Sequence, residues 1–197
     1  IVRMMAYSSI SQGGFVLMPL AVAGMSEVSS SALRSVVVYM LVYAATNLGM
    51  FAVIIAVSRK TRSGEISSWG GLFSYAPGLA TLATIFLASL AGIPPLGGWI
   101  GKFTAFQSLL SSGTNWGYAL ALIGAVNSVV AFGYYGTIMR EMWMKPVPDG
   151  DTTRVVVPGS LALALGITCV ATLVFGVLPG VATHFGDIAR ITGAFGG

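Results

Sequence analysis

Lys102 is the one cation that lies deep within an apolar stretch of this sequence, and it follows an irregular one: Ser89 to Phe103 reads SLAGIPPLGGWIGKF. An amine among Trp99, Ile100, Phe103 and Phe106 loses hydration when charged. Its neutral form then comes within reach near neutral pH, and it can take up and release a proton. The competing reading is structural: the lysine snorkels, or it satisfies carbonyls freed by a break in a helix. A proton path needs further polar groups that hold water. At similar depth the sequence has Tyr7, Ser8, Ser11 and Gln12, then Thr46 and Asn47, then Asn127, Ser128, Tyr134 and Tyr135. Taken singly, each is more commonly explained by hydrogen bonding between helices.

No other chemistry is legible. There is no Gly-rich phosphate loop, no HExxH, no CxxC and no nucleophile–base pair, so neither a catalytic residue nor a metal or cofactor site is expected in this chain. The six acids, Glu27, Glu65, Glu141, Asp149, Asp151 and Asp187, fall in expected loops or at span ends. Cys169 has no second cysteine to pair with and reads as a small buried core residue; His184 reads as interfacial.

The elements that must position Lys102 follow from composition. Of 197 residues 55% are hydrophobic and 8% charged, with a mean hydropathy of +0.85. Soluble domains carry about 25% charged residues, so this is an integral membrane protein. The net charge of +4 is spread over loops, which argues against nucleic-acid binding. Five spans are expected: about 2–23, 35–57, 77–110, 116–139 and 155–181. A span needs roughly 20 residues, and the third stretch is too long for one straight helix. Pro94 and Pro95 remove two backbone donors, so the helix opens there, with Gly92, Gly97 and Gly98 completing the hinge. Such breaks survive in lipid only where protein or a wet cavity surrounds them. The fold class expected is all-α, a polytopic transmembrane helix bundle with one discontinuous helix.

Charge sets the orientation. Arg3, Arg59, Lys60, Arg62, Arg140, Lys145 and Arg154 fall on one side of the five-span scheme, and Arg34 and Arg190 on the other. By the positive-inside rule the first span begins in the cytoplasm and the C-terminus lies outside. Pro158 is expected in the first turn of the fifth span. Trp69, Trp116 and Trp143 read as interface anchors. The chain begins with Ile1 and enters a span almost at once, so it is expected to be the C-terminal piece of a longer protein.

Two stretches carry a resemblance. RMMAYSSISQG (Arg3 to Gly13) is similar to the start of the tenth helix in antiporter-like subunits of respiratory complex I and of multisubunit cation/proton antiporters. AGIPPLGGWIGKF resembles their broken twelfth helix. Tyr39 to Ile55, YMLVYAATNLGMFAVII, most resembles the subunit N branch, because it lacks the ionisable residue usual in subunits L and M and in the antiporters. Lys102, where subunit M usually has glutamate, points the same way.

The resemblance covers nearly the whole chain. It implies that the spans are the tenth to fourteenth of fourteen helices and that the fold is half of an inverted-repeat antiporter-like structure. Residues 1–140 would be a partial second repeat, 141–154 a cytoplasmic loop, and 155–197 the last helix and tail. It implies that Lys102 is the terminal channel lysine, exchanging protons with the outside. Gln12 stands where many subunit N sequences have histidine; glutamine cannot titrate but can orient water. The implied function is proton translocation in the bacterial cytoplasmic membrane, coupled to electron transfer from NADH to quinone in other subunits. The implied partners are lipid and the other membrane-arm subunits of complex I, with no NADH bound by this chain. A cation/proton antiporter or membrane hydrogenase subunit is the first alternative, and a structural scaffold without its own proton path is the second.

Overall fold

The computed structural model describes residues 1–188, and among them every regular element is helical. Arg190, which entered the charge count above, lies outside the described residues. Helix α1 (Val2–Leu17) is tightened into a 3-10 turn over Met18–Val22, where Pro19 sits near the turn's start. The first span is therefore a shorter α-helix than expected, with a distinct end. Helix α2 (Ser29–Thr61) is the longest element at 33 residues. At 1.5 Å per residue it is roughly 50 Å long, so it projects beyond a hydrocarbon core of about 30 Å. A 3-10 turn over Ser67–Trp69 and the single turn α3 (Leu72–Tyr75) lead to α4 (Pro77–Ala91) and α5 (Gly97–Ser111). Then come α6 (Asn115–Met144), α7 (Gly159–Val177) and α8 (Pro179–Ile188).

By length and composition α2, α6 and α7 can each cross a membrane, while α4 and α5, at 15 residues each, cannot do so singly. Their register along α2 shows how they cross together. Phe86 lies against Gly49, Ser89 against Thr46, Gly97 against Val42, Gly101 against Tyr39 and Ser108 against Ser35. As the numbering rises from α4 to α5 it falls steadily along α2. The two short helices are thus end-to-end halves of one span, antiparallel to α2.

Three boundaries differ from expectation. Met144 still belongs to α6, so Glu141 is helical rather than in a loop. Pro158 is the residue before α7, not within its first turn. The fifth span ends at Val177, and α8 is a separate helix that begins at Pro179, where proline is tolerated at a first helical position. Trp69 is not an interface anchor: it belongs to the α2–α3 connection and its side chain is fully buried in the core, whereas Trp116 is 81% exposed. Trp143 is exposed, stacks on Phe73 and donates to the Thr84 hydroxyl at 2.9 Å. Cys169 is half-buried rather than fully buried.

The main core lies where α2, α4 and α6 meet, around Met50, Val53, Phe86, Leu87, Tyr135 and Ile138. Gly49 is where α2 and α4 come closest, since a Cβ there would overlap the Phe86 ring. The outward faces of α6 and α7 are apolar and exposed, with Ile123, Val126 and Val129 on one and Leu163, Ile167 and Val170 on the other, as lipid-facing or partner-facing helices require.

Candidate functional site

The break between α4 and α5 runs from Gly92 to Leu96. Helix α4 stops because Gly92 adopts φ +93°, and the N–H groups of Gly92 and Ile93 both return to the Ala88 carbonyl, at 3.1 and 3.0 Å. This is a glycine-terminated helix end. Pro94 and Pro95 follow without donors. Helix α5 restarts after an extended Leu96, and the Ser89 hydroxyl accepts from the Gly98 N–H at 3.0 Å, so one half-helix caps the other. Gly97 and Gly98 are not in the unwound hinge, as the sequence suggested, but form the first turn of α5. Their lack of a side chain permits close packing: a Cβ on Gly98 would overlap the Ser89 carbonyl, and one on Gly97 would meet the Thr172 carbonyl at 3.1 Å.

A helix end leaves orphan carbonyls that need partners. Here each of the last three has one. Ser89 O accepts from Gly92 N–H at 2.9 Å, Leu90 O from Gln12 Nε2 at 3.0 Å, and Ala91 O from Lys102 Nζ at 2.9 Å. Lys102 is 3% exposed, and its Nζ also lies 4.8 Å from the centre of the Phe15 ring. Among the described residues no carboxylate pairs with it. The ammonium form has three donors, and the protein offers one carbonyl and one ring face. The neutral amine is satisfied by the same carbonyl, so the site can house either form. The aromatic wall is Phe15, stacked on Tyr39 and edge-on to Phe106. Trp99 and Phe103, at 39% and 48% exposed, face away.

Around the break the expected polar residues divide. Gln12, Ser8 and Tyr135 come together in the interior. Gln12 Nε2 donates to Tyr135 OH at 3.2 Å, Ser8 Oγ and Tyr135 OH share a 2.5 Å hydrogen bond, and Tyr39 OH donates to Gln12 Oε1 at 2.5 Å. Thr46 joins Ser89 at 3.2 Å and Thr172 of α7 at 3.4 Å. Tyr7 is not among them: it is 69% exposed and lines the open groove between α1 and α6. Ser11 accepts from Asn127 at 2.8 Å at the α1–α6 contact. The Asn47 Oδ1, Ser128 Oγ and Tyr134 OH are buried without a partner among the described residues, so Asn47 has no place in this network. A cavity of about 10 Å³ lies between Gln12, Tyr39, Tyr43, Thr46 and Ser89. That is room for a single water.

Sequence reasoning overlooked Tyr39, Ser89, Phe15 and Thr172. A signal existed on α2: Ser35, Tyr39, Tyr43 and Thr46 recur at helical spacing and form one polar stripe. Nothing in the sequence distinguishes Phe15 from its apolar neighbours.

The family model for NADH:quinone oxidoreductase/Mrp antiporter, TM, matches residues 1–129. The chain is 37% identical over 177 residues to an NADH-quinone oxidoreductase subunit N of Dehalococcoides mccartyi, covering 90% of this chain and 36% of that protein. It is 38% identical over 179 residues to an NADH-quinone oxidoreductase subunit N of Anaeromyxobacter sp., covering 89% and 34%. The chain thus spans about a third of the length of these relatives. Among solved structures it is similar to a chain of respiratory complex I from Thermus thermophilus with bound aureothin, with a TM-score of 0.70 and 26% identity, covering 92% of this chain and 39% of that one. A chain of the same complex with bound NADH matches in fold, with a TM-score of 0.72 at 22% identity, covering 93% and 38%.

Proposed function

From the premise that this chain belongs to the NADH:quinone oxidoreductase/Mrp antiporter transmembrane family, we propose that it is part of an antiporter-like subunit N and translocates protons within the membrane arm of a respiratory complex I. Electron transfer from NADH to quinone then takes place in other subunits, which are its partners, and no cofactor is held by this chain. The complex resides in the bacterial cytoplasmic membrane. The observation that carries the reading is Lys102, buried at a helix break, without a counter-ion among the described residues and held by one backbone carbonyl. Intramembrane cations in such places mark ion pathways. When a like charge approaches from a neighbouring subunit, the ammonium form is disfavoured and the proton leaves. Ser35 and Ser108, buried 3.5 Å apart one to two turns beyond Lys102, continue polar ground toward the end opposite the basic loops.

A scaffold reading has an observation of its own, because Lys102 does cap the Ala91 carbonyl. Two substitutions in the full-length subunit separate the readings. Lys102→Ala removes both jobs. Lys102→Gln keeps an N–H donor but cannot titrate. NADH-driven proton pumping is measured in inverted membrane vesicles, with complex assembly and NADH oxidation recorded on the same membranes. On the relay reading both variants assemble and both lose most pumping or coupled turnover. If Lys102→Gln pumps like the wild type, the lysine is a cap and the relay reading is wrong. Sodium-driven flux independent of NADH would favour an antiporter instead.

A further inference from the structure

Gln12 stands where two hydrogen-bonded lobes meet. One lobe is Ser8 and Tyr135, and Ser8 lines an open, largely apolar groove of about 450 Å³ between α1 and α6 together with Arg3, Met4, Ser11, Asn127 and Tyr134. Arg3 and Ile66 place the mouth of this groove at the end of the molecule that carries the basic loops. The other lobe is Tyr39, the Leu90 carbonyl beside the Ala91–Lys102 contact, and the one-water cavity. Among the described residues the only side chain bonded to both lobes is Gln12, which is 2% exposed. Tyr43, also at the cavity, turns its hydroxyl to Ser9, whose own hydroxyl donates to the Met5 carbonyl.

We propose that Gln12 is a proton barrier that separates the α1–α6 groove from Lys102. The proposal rests on the reading of Lys102 as a proton-carrying group. A hydroxyl or a water passes a proton by accepting one and releasing another at the same oxygen. In an amide the acceptor is oxygen and the donors are on nitrogen. For a proton to cross, Oε1 must take the proton of Tyr39 while Nε2 releases one to Tyr135. That leaves an imidic tautomer, which must revert before a second proton can follow. Nor can the amide turn over to help. Its nitrogen is fixed by the Leu90 carbonyl, which only accepts, and a flipped amide would set two acceptors against each other. Hydrogen bonding is therefore continuous across Gln12, while proton transfer is not. A buried polar contact that holds α1 to the break thereby keeps Lys102 from exchanging with the basic end of the molecule.

The test is passive proton leak: decay of an imposed pH gradient across proteoliposomes that hold the whole complex, without NADH. Gln12→Glu has nearly the same shape but titrates. Gln12→Leu breaks the same hydrogen bonds without titrating. The expected result is a severalfold faster decay for Gln12→Glu, wild-type decay for Gln12→Leu, and loss of the extra leak in Gln12→Glu/Lys102→Ala. Wild-type decay in Gln12→Glu overturns the barrier and leaves the Lys102 reading standing on its own pumping assay. Equal leak in Gln12→Leu and Gln12→Glu also overturns it, since loosened packing is then the cause. If Gln12→Glu leaks and the double variant leaks equally, the barrier stands and the Lys102 reading falls.

Discussion

At Gly92 a single absent methyl group joins backbone shape to the lysine. The residue sits at φ +93°, and a Cβ there would meet Lys102 Cδ at 2.9 Å. Gly92→Ala therefore costs about 1–2 kcal/mol for the left-handed backbone alone, before Lys102 is displaced. The expected outcome is a lower thermal midpoint of the purified complex together with reduced pumping, whereas Gly78→Ala, where a Cβ meets nothing, changes neither. Tyr39 makes a second case. Its hydroxyl is the donor to Gln12 Oε1, so Tyr39→Phe leaves a buried amide oxygen unsatisfied at a cost of about 1–3 kcal/mol. Gln12→Leu in the same background should then cost less than it does alone, because it removes the amide oxygen that Tyr39→Phe leaves unsatisfied, although the Nε2 bonds to Leu90 and Tyr135 are lost in either background; a fully additive loss in thermal unfolding would refute the coupling. Lys102 was legible at this scale because a cation in an apolar run is a single-residue anomaly. Ser89 was not, because its role as a cap for Gly98 exists only after the chain has turned back on itself.

The elements themselves were legible wherever apolar length decided them, as for α2, α6 and α7. The broken span was legible from its proline pair, but the division of labour among its glycines was not. Gly97 and Gly98 serve packing between α5, α4 and α7, which depends on neighbours remote in sequence. Helix α7 closes over the break at Gly176, where a Cβ would overlap the Pro95 carbonyl. Gly176→Leu should accordingly pry α7 from the break and lower the yield of assembled complex. At the other end of α2, Lys60 holds down the connection between α6 and α7. It donates to the carbonyls of Asp151 at 2.8 Å and Thr153 at 2.5 Å, and lies 3.9 Å from the centre of the Tyr75 ring. The Asp151 carboxyl is held below its usual range, first by the Thr153 backbone N–H and then by the Thr153 hydroxyl, with Lys60 adding attraction. A depressed carboxyl stabilises at pH above its unfolded value and loses that contribution as pH falls through the folded one. The connection over residues 145–157 should thus exchange backbone hydrogens faster as pH is lowered below the ordinary carboxylate range, after correction for intrinsic exchange. In Lys60→Met it should already exchange fast at neutral pH.

The whole molecule is polarised by charge, and the antiparallel packing of its helices is what gathers the basic residues at one end. Arg3, Arg59, Lys60, Arg62, Arg140, Lys145 and Arg154 attach to the start of α1, the end of α2, the end of α6 and the connection after it, all of which the antiparallel register brings to one end. Arg34 belongs to the opposite end, near the start of α2, but it is paired with Asp187 of α8 at 3.1 Å. The positive-inside rule counts cations whether or not they are paired, and Lys60 at the basic end is likewise paired with Asp151, at 3.7 Å, so the bias rests on the number of basic residues at each end. The proposed orientation puts the basic end in the cytoplasm. Single cysteines at Ser63 and Gly113, in a full-length subunit with Cys169→Ala, lie in connections at opposite ends of the bundle. A membrane-impermeant maleimide should label the Ser63→Cys protein in inverted vesicles and the Gly113→Cys protein in right-side-out ones. The reverse pattern would invert every directional statement about Lys102, because the α1–α6 groove behind Gln12 would then open outward. The barrier at Gln12 would still separate two compartments, but it would guard the opposite one.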